Sequence, residues 1–127
     1  MNGKASPCPC GGPDYETCCG PCHRGTPAAD AEALMRSRYS AFVLKLEDFL
    51  LATWHETSRP ASLDLAADNT KWLGLEVKKY ASESADRAKV EFIARYKIGG
   101  RAHRLHEISR FVREDGRWLY VDGELVE

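Results

Sequence analysis

Five cysteines crowd between positions 8 and 22 of this 127-residue chain, in the run PCPCGGPDYETCCGPCHRG. A disulfide framework would spread its cysteines to staple distant segments, and a reducing cytosol works against such bridges. Thiols packed this closely read instead as thiolates sharing one cation. Zinc takes four soft or borderline ligands in a tetrahedron, with Zn–S near 2.3 Å. The pair Cys8 and Cys10 can present two sulfurs to one ion, and Pro9 between them stiffens the chain. Gly11 and Gly12 permit positive φ and let the backbone turn back. After seven intervening residues, Cys18 and Cys19 offer two more sulfurs, and Gly20–Pro21 punctuates the exit. The preferred ligand set is Cys8, Cys10, Cys18 and Cys19, with Cys22 and His23 in reserve for the place of Cys19. The short spacing suits a single ion better than an iron–sulfur cluster. Four protein ligands leave zinc no open position, so such a site is structural rather than catalytic.

The remaining candidates for chemistry are scattered. Arg36, Tyr39, Trp54, His55, Glu107 and Arg110 are polar or amphipathic groups near the predicted core, and they form the candidate pocket set. Along one strand, Glu107, Ser109 and Phe111 share a face, and His106, Ile108, Arg110 and Val112 share the other. A buried Glu beside His55 would be a general base if burial raised its pKa. Each of these residues has a simpler scaffold reading. Of Arg36 and Arg38, two apart on a helix, at least one faces solvent and the other pairs with a sheet carboxylate. His55 complements a helix end, and the tryptophans are core. No nucleophile motif, phosphate-cradling loop or paired-carboxylate signature is present. The catalytic residues, if any, are not legible.

Residues 1–29 hold too few apolar side chains to build a core, so a metal must order them. A boundary falls near Thr26–Ala29, giving a knuckle (1–29) and a larger domain (30–127). From Asp30, a plausible N-cap, apolar residues recur at spacings of three and four through Trp54, which predicts one long helix. Arg59–Pro60 biases the chain out of helix, and Pro60 is placed at the start of a short second helix to Ala67. Alternation then predicts strands over Leu73–Val77, Val90–Tyr96, Arg101–Arg113 and Trp118–Val121. Gly99–Gly100 and Asp115–Gly116 are hairpin turns. A long helix and a short one on a curved four-stranded antiparallel sheet is an α+β architecture. Wrapped around the helix, such a sheet leaves a cone-shaped cavity.

The net charge of −1 gives no bulk attraction to nucleic acid or anionic lipid. In residues 1–29 only Lys4 and Arg24 are basic, offset by Asp14 and Glu16, which argues against phosphate binding by the knuckle. The longest apolar helix is interrupted by Arg36, Arg38, Lys45, Glu47 and Asp48 and cannot span a bilayer. No apolar segment follows a basic start, so the expected location is the cytoplasm.

The segment Cys8-Pro9-Cys10-Gly11, Tyr15 and Cys18-Cys19-Gly20 resembles the SEC-C motif at the end of the SecA translocation ATPase. The usual gap between second and third ligands there is eight residues; here it is seven. The stretches LMRSRYSAF (34–42), Thr53-Trp54-His55, Trp72-Leu73-Gly74-Leu75 and Gly116–Gly123 resemble the YchJ family of small bacterial proteins over nearly the whole chain. The resemblance implies a SEC-C zinc knuckle joined to a domain like that of nuclear transport factor two, an α+β cone of the cystatin-like kind. It implies no particular activity. By likeness to SecA, a protein partner docking on the knuckle is the first expectation. A small-molecule-binding protein or enzyme using the cone is the second.

Overall fold

The computed structural model describes residues 6–126. The first five residues of the predicted knuckle, Lys4 among them, lie outside the described residues, as does Glu127.

Among its described residues the knuckle contains a 3-10 turn at Tyr15–Thr17 and a short helix α1 (Gly20–His23). Helix α2 (Ala31–Leu44) starts where the capping argument places it. Asp30 is extended, and its carboxylate accepts from the Ala33 N–H at 2.7 Å. Such a cap contributes about 1 kcal/mol. Ala31, Leu34, Met35 and Tyr39 on one face of α2 are buried against the sheet. Each fully buried large apolar side chain contributes about 1.5–3 kcal/mol.

The predicted long helix is in fact two. Lys45 adopts a left-handed conformation (φ 61°, ψ 44°). The Lys45 N–H donates to Phe42 O at 3.3 Å and the Leu46 N–H to Ala41 O at 2.8 Å. This pair of bonds is a Schellman ending, usually built on glycine. Helix α3 (Glu47–Ala52) then continues the apolar pattern in a new direction. Ala41, Leu50 and Leu65 form a second small core beneath the bend. The predicted helix from Pro60 is also corrected: only Leu65–Ala67 forms a 3-10 turn. The Glu47 carboxylate holds this segment instead, accepting from the N–H groups of Leu63 (3.2 Å) and Leu65 (3.0 Å).

Four antiparallel strands follow in sequence order: β1 (Lys71–Ser84), β2 (Arg87–Ile98), β3 (Arg101–Glu114) and β4 (Arg117–Leu125). Gly99–Gly100 and Asp115–Gly116 all have positive φ, as their turns require. β1 is far longer than its predicted Leu73–Val77 core. Its polar second half has a mostly exposed burial pattern, yet it pairs with β2 through Ser84↔Arg87. Register shifts after Trp72, Val77 and Ser82 mark bulges, which bend a strand and raise its twist. Ala88, Val90, Phe92 and Ala94 of β2 all turn to the α2 side.

Candidate metal centre

The knuckle is folded by tight local bonds. Cys8 N–H donates to Gly12 O and Gly11 N–H to Cys8 O, both at 2.9 Å. Gly11 has φ 106°, a conformation that favours glycine. Gly12 is needed for a different reason: a Cβ there would stand 2.7 Å from Cys18 Sγ. These turns bring the sulfurs of Cys8, Cys10, Cys18 and Cys19 within 4.8 Å of one another. A zinc tetrahedron with bonds near 2.3 Å has sulfur–sulfur edges of about 3.8 Å, so the cluster is of the right size for one ion. Cys10 and Cys18 are already 3.4 Å apart. The cluster is buried apart from the half-buried Cys18.

Four thiols packed this closely disturb one another. Cys10 is lowered to about 4, chiefly because the neighbouring Cys19 thiol hydrogen-bonds to it. Cys18 is pushed up to about 12, first by burial and then by its place beside Cys10. Cys19 is raised, first as the donor to Cys10 and then by burial. Ionisation of one sulfur opposes ionisation of its neighbours. A divalent cation at the centre removes that resistance, because it favours every thiolate at once.

The two reserve ligands lie outside this group. The Cys22 thiol is raised by burial, with a hydrogen bond to Ser37 opposing. Both ring nitrogens of His23 are engaged: Nε2 with Ser37 O at 2.8 Å and Nδ1 with the Tyr15 hydroxyl at 2.6 Å. A carbonyl only accepts, so Nε2 donates and Nδ1 accepts from Tyr15. Burial lowers the His23 pKa, which favours that neutral ring. His23 thus pins the knuckle to α2, and its ring meets Phe49 edge-on at 4.7 Å.

Helix α2 also supplies an outer layer that sequence reading missed. The Ser40 hydroxyl stands 3.2 Å from Cys19 Sγ and 3.5 Å from Cys8 Sγ. Arg36 reaches Cys10 O at 3.4 Å while pairing with Glu32 at 2.9 Å. Its place is therefore beside the knuckle and not in the pocket set.

A separate cavity of about 170 Å³ lies between α2 and the sheet. Tyr39, Trp54 and Glu107 line it; Arg36, His55 and Arg110 do not. His55 bonds Glu114 at 2.9 Å and Thr57 at 2.7 Å, so it meets no buried Glu. Arg110 grips Asp122 through two bonds of 2.6 and 2.9 Å on an exposed surface. Alternation along β3 separates it from Glu107 and Ser109. Arg38, not Arg36, is the buried arginine, and it forms no pair with a carboxylate among the described residues.

Residues 30–123 match the family model described as YchJ, middle NTF2-like domain. The chain belongs to the YchJ-like family. A UPF0225 protein of Methylibium petroleiphilum is 60% identical over 121 residues, covering 94% of this chain and 88% of that protein. Another, from Cupriavidus metallidurans, is 59% identical, covering 96% of this chain and 91% of the relative. The YchJ-like fold has solved neighbours. The solution structure of a SEC-C motif containing protein from Rhodopseudomonas palustris is 38% identical, with TM-score 0.83, covering 96% of this chain and all of that one. The crystal structure of a SEC-C motif containing protein from Psychrobacter arcticus is 31% identical, with TM-score 0.80, covering all of this chain and 86% of that one. As in the sequence reading, no helix among the described residues is long and apolar enough to cross a membrane.

Proposed function

We propose that Cys8, Cys10, Cys18 and Cys19 hold one structural zinc ion, and that the knuckle so fixed is a docking surface for a protein partner. The gathering of four sulfurs within 4.8 Å carries the metal reading. All four positions of the tetrahedron are protein ligands, so the ion's part is to fix shape, not to activate water or substrate. Zinc fits better than magnesium or calcium because thiolates are soft donors. Free thiolate ligands also suit a reducing compartment such as the cytoplasm.

The docking reading rests on how the knuckle is mounted. One side is held to α2 through Ser40, Ser37 and Arg36. Pro7, Pro13, Glu16 and Thr17 remain exposed on it. Its exposed ion pair, Arg24 with Glu16 at 3.0 Å, leaves no basic excess for phosphate. The two SEC-C motif neighbours add support by likeness. The test is affinity capture with the wild-type chain and a Cys10→Ser, Cys18→Ser variant whose larger domain still melts cooperatively. Loss of a specific partner together with the metal is expected. Equal capture by the metal-free variant would remove the knuckle from the account.

A further inference from the structure

Arg38 is 5% exposed and lies on the cavity side of α2. Its two hydrogen bonds, to Leu50 O at 2.8 Å and Thr53 Oγ1 at 2.7 Å, both leave from Nη1. A guanidinium has five N–H donors, so most of its donor capacity is not used by these bonds. Its carbon stands 5.0 Å from the centre of the Trp54 ring and 4.6 Å from that of Tyr120. These faces stabilise a cation but do not neutralise it. Burial lowers its pKa to about 10, which still leaves it charged at neutral pH.

The carboxylate facing the same space is committed elsewhere. Glu107 Oε2 accepts from Ser109 Oγ at 2.6 Å and from the Tyr120 hydroxyl at 3.4 Å. Glu107 forms no ion pair with Arg38, though its charge acts on the guanidinium at longer range. The rest of the wall is apolar and largely aromatic, including Tyr39, Phe42, Trp72 and Phe92. A buried cation above an apolar, ring-lined space calls for a counter-charge attached to an apolar body. The volume of about 170 Å³ sets the size. An apolar cavity of about 150 Å³ accepts benzene. The Glu107 carboxylate and the mostly apolar walls disfavour a dianion such as phosphate more than a monoanion.

We propose that this cavity binds a small monocarboxylate with a single ring-sized apolar body, its carboxylate on Arg38 and its ring among Tyr39, Phe42, Trp72 and Phe92. The site is independent of the knuckle and of the metal reading. Benzoate is the probe, and benzyl alcohol is its neutral counterpart of the same size. Calorimetric titration of the wild-type chain should show one benzoate site, at least about tenfold tighter than any site for benzyl alcohol, as expected for charge-assisted hydrogen bonds. Leu105→Trp, which fills the cavity and leaves Arg38 in place, should abolish benzoate binding. Arg38→Met should bind the two probes equally. Absence of benzoate binding to the wild-type chain at millimolar concentration would overturn the proposal, as would equal affinity for benzyl alcohol. The comparison on the wild-type chain decides the matter even if a variant fails to fold.

Discussion

The Ser40 hydroxyl bridges two sulfurs that are eleven positions apart in sequence, donating to Cys19 Sγ at 3.2 Å and standing 3.5 Å from Cys8 Sγ. It belongs to the long helix, not to the knuckle. The helix therefore tunes the thiolates as well as supporting them. Groups behind metal ligands commonly change affinity by roughly 10–100-fold. Ser40→Ala should keep the fold and a full metal load but weaken zinc retention by about tenfold or more. Competition with a chromophoric chelator measures this. An unchanged affinity would mean that Ser40 only fills space.

Lys45 holds a left-handed conformation that a side chain disfavours by about 1 kcal/mol. Lys45→Gly should relieve that cost. It also removes the bond from Nζ to Asp68 O at 2.9 Å, which is exposed and contributes little. The expected net gain is about 0.5–1 kcal/mol in chemical denaturation, with no change in metal content. A loss of stability would show that the lysine tether outweighs the backbone strain.

Glu47 lies below its ordinary value of 4.5 because the N–H groups of Leu65 and Leu63 bond its ionised carboxylate. A carboxyl lowered on folding stabilises the protein fully above its unfolded value, and that contribution is lost as pH falls through the folded value. Glu47→Gln should therefore melt below the wild type at pH 7, and the gap should close on acidification to below pH 4.5. Melting curves across that range check it. A gap independent of pH would mean that charge plays no part in the hold.

Where one residue type has one physical use, the sequence spoke clearly. Clustered cysteines announced a gathering of four sulfurs, Asp30 announced a helix start, and Gly99–Gly100 and Asp115–Gly116 announced their turns. The break at Lys45 was hidden because the left-handed residue is not glycine and the apolar period resumes through Leu46, Phe49 and Leu50. The second half of β1 was hidden because its polar residues obscure the pairing with β2. Arg38 and Ser40 were hidden for a related reason: a helical period shows which positions face inward, not what tertiary neighbours meet them there. Glycine roles divided in the same way. Gly11 serves by its backbone angle, whereas Gly12 makes room for the Cys18 sulfur, which only the folded knuckle reveals.

On our proposal, one cation on four thiolates holds the knuckle in its shape. Metal analysis of the reduced, purified protein, combined with X-ray absorption at the zinc edge, tests it most directly. One zinc per chain in an all-sulfur shell with distances near 2.3 Å is the expected result, unchanged in Cys22→Ser and lost in Cys10→Ser. A metal-free chain whose knuckle is nonetheless ordered by NMR, or a shell containing a histidine nitrogen, would contradict it.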